Sequence, residues 1–435
     1  MKVVQVIPNF QLGGIQKAGV VMAGELAKLG HEAMVIGRDG GPRFLDETPD
    51  GLTHRVSESQ DEAGYAREIL AFEPDAIHIH GPAYDEPLVE ALAAAGARVD
   101  GAPLLISTPV FGRPPESRAI LKKTRTAVVG TYILYRLRHW LGMSLDKAFE
   151  SGVVHQPVVS FQATDPPHST LDSDEVRAAR RAEFGLPADA FVIGRIGRAT
   201  PEKWHPANIS LIDRFLTAHP NGAWLSVGCP LEEEIGELKR KWGDRVVSLP
   251  QSSDYDLLAR AFASMDVQVF MSCAGECFAA TICEPAGVGL PTIATANPVK
   301  DNGQSEQVVE GVTGHLVGSL DGALQRVDAL VADREALARL KQSTHDYAHS
   351  RWTPEQITAE LVETIEAWLG EDPLATPRMR RLHDEAAAFD AGYLPRLLGL
   401  YGKNARSRAW WNLKLAAVRN WRTFQLAASI KRKLG

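Results

Sequence analysis

The stretch VVQVIPNFQLGGIQKAG, residues 3–19, sets the architecture. A short apolar run breaks at Pro8, passes a turn holding Gly13 and Gly14, and enters a helical stretch from about Gln16 to Leu29 that Gly30 closes. AMVIG (33–37) reads as the next strand. Strand, glycine turn, helix, strand is the repeating unit of a parallel sheet covered by helices. AIHIHG (76–81) and PLLIST (103–108) extend the series around an alanine-rich helix near Leu88–Ala95. A second series starts at FVIGRIG (191–197) and continues through AWLSVG (223–228), VVSLP (246–250), VQVFMS (267–272) and PTIAT (291–295). The fold class is therefore α/β, with two doubly wound, Rossmann-like domains at residues 1–186 and 187–352. TPEQITAELVETIEAWL is an amphipathic helix within a closing segment, 353–372, expected to cap the second domain. Pro373 and Pro377 mark a linker into a basic helical extension, 373–435.

Composition supports this division. The chain has 435 residues, 45% hydrophobic and 23% charged, enough for roughly two or three ordinary domains. The run after Met1 and Lys2 is too short, and too soon broken by Pro8, for a signal peptide, and no apolar run approaches the ~18 residues of a membrane span. Cys229, Cys273, Cys277 and Cys283 form no CxxC pair, as expected of reduced thiols in a cytoplasmic protein. Charge is unevenly spread. Leu400 to Gly435 holds nine Lys or Arg and no acid, so this segment carries +9 and the rest −16 of the net −7. The acidic body argues against nucleic acid as a partner.

Open parallel sheets bind ligands beyond the carboxyl ends of their strands, and two such domains facing each other make a cleft. The chemically apt residues follow strands. Arg198 and Lys203 leave the first strand of the second series in GRIGRATPEKW, where two cations suit a departing diphosphate; the alternative is a solvated basic loop. In GECFAATICEP (275–285), Glu276 precedes a helix expected from about Phe278, and Glu284 lies two turns on, roughly 12 Å away by helical rise. Either glutamate alone is an ordinary helix acid. As a pair they reach opposite ends of an extended ligand.

GRATPEKW, SCAGECFAATICEPAGVGLPTIAT and GQSEQVVEGVTGHLV, in that order, resemble the C-terminal half of the retaining glycosyltransferases of family 4, which have the GT-B fold of two facing Rossmann-like domains. NFQLGGIQKAG resembles that family's N-terminal glycine loop, and the likeness covers about residues 1–370. It implies that Arg198 and Lys203 bind the donor diphosphate, that Glu276 and Glu284 of the Glu-x7-Glu motif hold the transferred sugar and the nucleotide ribose, and that Cys277, Phe278 and Ala279 contact sugar and phosphate. Gly13 and Gly14 would let the donor approach the first domain. The implied substrates are a UDP- or GDP-linked sugar and a glycan or lipid-linked acceptor, with no cofactor or metal. Family members often carry a histidine after the strand equivalent to PLLIST. Here that position has none, and His80 is the candidate to replace it, the alternative for His78 and His80 being a structural pair. An inactive nucleotide-sugar-binding scaffold and a nucleotide-sugar epimerase are the other classes that fit.

Two acidic doublets, DSD (172–174) and DYD (254–256), precede helical runs and read as helix caps rather than metal ligands. In the extension, Trp410, Leu413, Ala417, Trp421, Phe424 and Ala428 align on one helical stripe beside Arg408, Arg419 and Arg422. That pattern fits a helix lying on an anionic leaflet, or one packed on the protein's own acidic body. Residues 113–142 also mix cations with Tyr132, Ile133, Tyr135, Leu137 and Trp140. Both segments, 400–435 and 113–142, are candidate contacts with the cytoplasmic membrane face, where polysaccharide, lipopolysaccharide or glycolipid acceptors are built.

Overall fold

The computed structural model describes residues 1–11, 13–39, 52–157 and 168–426. The chain divides into two compact units, Met1–Gln162 with Trp352–Pro395 and Trp410–Gly435, and Ala163–Arg351 with Arg396–Ala409.

The first unit is built from β1 (Lys2–Ile7), α1 (Gly14–Lys28), β2 (Glu32–Gly37), β3 (Leu52–Val56), α2 (Glu62–Leu70), β4 (Ala76–Gly81), α3 (Glu86–Ala94), β5 (Leu104–Pro109), β6 (Arg125–Val128), α4 (Thr131–Leu141), α5 (Leu145–Glu150) and β7 (Val153–His155). All pairings are parallel, in the order β3-β2-β1-β4-β5-β6-β7. Val4 pairs with Met34 on one side and Ile77 on the other, so β1 is central, and it is mostly apolar because both faces are covered, with Gln5 buried among its apolar residues. The order reverses between β1 and β4. β3 had no apolar signature because it is a mostly exposed edge strand.

The second unit follows as α6 (Asp174–Glu183), β8 (Phe191–Ile196), α7 (Ala207–Ala218), β9 (Gly222–Val227), α8 (Glu232–Trp242), β10 (Val246–Leu249), α9 (Tyr255–Ser264), β11 (Val267–Phe270), α10 (Ala280–Gly287), β12 (Thr292–Thr295), α11 (Gln304–Gln307), β13 (Gly314–Val317), α12 (Leu320–Ala332) and α13 (Arg334–Arg351). Its parallel sheet runs β10-β9-β8-β11-β12-β13 and reverses between β8 and β11. Apolar layers cover both faces, one around Trp204, Phe215 and Trp224, the other around Val192, Leu225 and Phe262. The boundary expected at 186 is too late. α6 already belongs to the second unit, because Arg181 donates to Ser264 O (3.0 Å) and Asp266 Oδ2 (2.9 Å). Ser173 and Asp254 cap α6 and α9, as their doublets suggested.

Among the described residues the helices α14 (Pro354–Leu369), α15 (Pro377–Tyr401) and α16 (Ala405–Val418) follow, and residues 421–426 are again helical. Contrary to expectation, α14 packs on α1 and β5 of the first unit. A buried polar knot explains its choice. Gln156, just beyond β7, donates to Ile357 O (3.2 Å) and accepts from Thr364 Oγ1 (3.1 Å) and Arg378 Nη2 (2.7 Å). Burying three such groups requires that each find its partner, which fixes α14 and the start of α15. Among the described residues no helix is long and apolar enough to cross a membrane.

The membrane-facing expectation for 113–142 needs correction. Tyr132, Ile133, Tyr135, Leu137 and Trp140 are all buried, so the aromatics of α4 are core. The stripe in the extension is also broken. α16 ends at Val418, Asn420 Oδ1 accepts from Thr423 N (3.2 Å), and a new turn begins. Beyond the break, Trp421 and Phe424 lie 4.6 and 4.9 Å from the Trp140 ring, and Trp140 Nε1 donates to Val418 O. Before it, Trp410 and Leu413 are 53% and 73% exposed. Ala428 and the cations Lys431, Arg432 and Lys433 lie outside the described residues.

Candidate functional site

In the second unit, the loops after β8 and β11 flank the point where strand order reverses, the usual ligand position in an open parallel sheet. Backbone bonds zip the loops together. Ala274 N donates to Glu202 O (2.9 Å), His205 N to Met271 O (3.1 Å) and Ser272 Oγ to Glu202 O (3.2 Å). Trp204, buried, donates Nε1 to Arg198 O (3.0 Å), which folds the cationic loop back on itself. The consequence is an ion pair of 2.7 Å between Lys203 Nζ and Glu276 Oε2, with side chains only 20% and 15% exposed. Arg198 is exposed on the same loop.

Glu276 is held from behind by the segment that contains α11. Gly303 N donates to Glu276 O (2.6 Å), and a Cβ on Gly303 would lie 1.9 Å from Cys277 O. Gly275 has φ +73°, and a Cβ there would lie 1.7 Å from Asp301 O, so no other residue fits without moving the backbone. Gln304 Oε1 accepts from Glu276 N (3.3 Å) while its Nε2 donates to Thr295 O (3.1 Å). Gln307 Oε1 accepts from Ala279 N (2.7 Å), and its Nε2 donates to Ala279 O and Cys283 Sγ. Ala279, whose N–H Gln307 holds, has extended backbone, so α10 starts at Ala280, later than the expected Phe278. Cys277 and Phe278 are thus loop residues. The rise from Ala280 to half-buried Glu284 is only about 6 Å.

Arg195, which no sequence signal singled out, lies beneath this pair. It is fully buried in β8, sandwiched 4.9 Å from the Trp204 ring and 4.3 Å from Phe270, and donates Nη2 to Lys203 O. Burial pulls its guanidinium down to about 10, and the carboxylate of Glu276 opposes that shift. A cation in a strand usually signals an edge. Here two aromatic faces make it a core residue. Gln304 and Gln307 were equally unflagged, although two amides three residues apart on one helical turn are placed to grip a neighbouring loop.

In the first unit, Gly13 caps α1 with extended backbone, and a Cβ there would meet only the flexible end of Gln16; one on Gly14 would meet nothing within 4 Å. Neither packing nor backbone conformation calls for glycine at these two positions. Leu12 of the same loop lies outside the described residues. His80 is buried, hydrogen-bonded through Nε2 to Gln5 Oε1 (2.6 Å), and burial lowers its pKa to about 3. His78 bonds Thr108 Oγ1 (2.7 Å), and the two rings lie 4.0 Å apart. Among the described residues no group of three or more His, Cys, Asp or Glu is arranged to hold a metal.

Comparison with known proteins places the fold. No family model matches the chain. Over 223 residues it is 28% identical to the D-inositol 3-phosphate glycosyltransferase of Mycolicibacterium smegmatis, a match spanning 50% of this chain and 48% of that protein. The chain thus aligns with about half the length of this curated relative. A glycosyltransferase from Rickettsia africae superposes with a TM-score of 0.66 at 16% identity, over 85% of this chain and 99% of that one. HepE of Anabaena, solved with UDP, superposes with a TM-score of 0.62 at 19% identity, over 84% and 100%. The two Rossmann-like units and the helical C-terminal part have the fold of the GT-B glycosyltransferases.

Proposed function

We propose that the chain is a retaining glycosyltransferase of family 4 that moves a sugar from a UDP- or GDP-linked donor to a glycan or lipid-linked acceptor at the cytoplasmic membrane face. The observation that carries this is the Lys203–Glu276 pair beside Arg198, held by two loops at the sheet's reversal point. A diphosphate competes with Glu276 for Lys203, and its arrival releases the carboxylate to accept hydrogen bonds from sugar hydroxyls. Arg198 and Lys203 then stabilise the charge that grows on the leaving diphosphate. Glu284 holds the ribose, Cys277 to Ala279 border sugar and phosphate, and Gly13 and Gly14 leave room for the donor. His80, neutral and bonded to Gln5, carries no charge in this scheme. Retention follows when the acceptor attacks the face the diphosphate leaves, its proton passing to a phosphate oxygen. No metal has a role.

Calorimetry against UDP-, GDP- and ADP-sugars tests the reading. One donor class should bind, and Glu284→Ala should weaken it by roughly tenfold or more, the loss expected for a charged hydrogen-bond partner. If no nucleotide sugar binds, the reading fails. Donor conversion without acceptor would point to an epimerase instead.

For the membrane, the support is α16, where exposed Trp410 and Leu413 sit among Arg406, Arg408 and Lys414. Vesicles containing anionic lipid should bind the chain in a salt-sensitive way. The double substitution Trp410→Ser, Leu413→Ser should reduce that binding about tenfold, by removing two large apolar side chains from the interface. Undiminished binding would rule out this face of α16.

A further inference from the structure

We infer that the first unit carries a pocket for an uncharged polyol, the acceptor's sugar ring, and that this pocket rejects a phosphorylated one. The identification with the acceptor rests on the transferase reading; the pocket and its selectivity are read from the first unit alone. A cavity of about 470 Å³ opens at the carboxyl ends of β1 and β4, where the strand order reverses. Its size falls in the range of ordinary small-ligand sites, roughly 300–1,000 Å³. The polar lining comes from Arg38 beyond β2, Glu62 and Tyr65 of α2, and Tyr84 and Asp85 ahead of α3.

Charge decides what fits. Arg38 is the one cation among the described residues of the lining, and it is already engaged: it pairs with Glu62 and lies 4.6 Å over the Tyr65 ring. His80 also lines the cavity, but its imidazole is neutral. Two carboxylates therefore face one paired guanidinium. The N-termini of α2 and α3, whose backbone N–H groups would otherwise attract a phosphate, are capped by carboxylates. Asp61 accepts from Gly64 N (2.6 Å) and Asp85 from Leu88 N (3.2 Å). A phosphate here would meet like charge. A ring of hydroxyls would instead donate to Glu62 and Asp85 and accept from Arg38, each bond charge-assisted.

Saturation-transfer NMR on the full chain, with no donor present, tests this. myo-Inositol and D-glucose are compared with myo-inositol 3-phosphate and glucose 6-phosphate. The neutral polyols should show transfer and bind at least roughly tenfold more tightly than their phosphorylated counterparts. Ala83→Trp, at an exposed position on the cavity wall, should abolish the neutral signal by filling the site. Asp85→Asn keeps a good cap while removing charge, and should narrow the discrimination about tenfold. Phosphorylated ligands binding the wild type as well as the neutral ones would overturn the inference, as would a neutral signal that survives Ala83→Trp or is never seen. Because no nucleotide sugar is present, these outcomes are separate from failure of the donor calorimetry, which would remove the transferase reading and leave the pocket standing.

Discussion

Lys203→Ala is expected to lower turnover on the order of a hundredfold, the usual cost of losing one preorganised group aimed at developing charge. The argument turns on where the ammonium is held. Lys203 is anchored at its backbone, where its carbonyl accepts from buried Arg195, and at its tip, 2.7 Å from Glu276. Such a cation has little reorganisation left to do when a diphosphate departs. Its loss has a second effect. Glu276 is 15% exposed, and without Lys203 its carboxylate loses this ion pair while the buried guanidinium of Arg195 still acts on it. Donor affinity and turnover should therefore both fall, turnover more, because the diphosphate gains charge as the sugar leaves. Lys203→Arg should recover only part of the rate, since a planar guanidinium does not reproduce the compact point charge of the ammonium. Nucleoside diphosphate release is the measurement. Near-normal turnover in Lys203→Ala would contradict the assigned role, whereas normal donor binding with lost turnover would place the lysine's contribution wholly in the transition state.

How much of this was legible depended on whether a feature is local. β1, β4, β8 and β11 are buried on both faces, so they are mostly apolar, with Gln5, His78, His80, Arg195 and Gln268 as buried exceptions, and this identifies them directly. β3 could not be seen, because an exposed edge strand has no reason to be apolar. The stripe on α14 revealed that one face is buried but not against what; its partner was chosen by Gln156, some two hundred positions away. Site residues followed the same rule. Arg198, Lys203 and Glu276, the candidates, stand just past the ends of β8 and β11, and Glu284 within α10, so their order along the chain was visible. Gln304 and Gln307 act on a loop 28 positions away, and Arg195 on Lys203, eight positions on, through a packing between Trp204 and Phe270 that its residue type does not announce. In the extension, a stripe drawn on a continuous helix ignored Asn420, whose side chain competes for backbone N–H groups and starts a new turn.

Asp266→Ala is expected to destabilise the second unit by about 3–5 kcal/mol, the cost of removing one partner from a buried ionic cluster. Asp266 stands directly before β11, and its carboxylate accepts from Lys341 Nζ, Arg181 Nη2 and Val192 N, each at 2.9 Å. All three charged side chains are nearly inaccessible, so alanine leaves two cations in the core with neither water nor counter-charge. Acid should have a related effect on the wild type. Burial alone would raise this carboxyl, but Lys341 and Arg181 outweigh it and hold the pKa down to about 2, against an ordinary value of 3.8. A folded pKa below the unfolded one means the stabilisation is fully present above about pH 4 and is lost as pH falls toward 2, an amount of roughly 2–3 kcal/mol. Urea unfolding of wild type and Asp266→Ala should therefore differ most near neutrality and converge between pH 4 and 2. A gap that stays constant through that interval would mean the carboxylate does not titrate with these partners. Since β11 runs from Asp266 toward Gly275 and Glu276, weakening this cluster also loosens the strand that carries the candidate site.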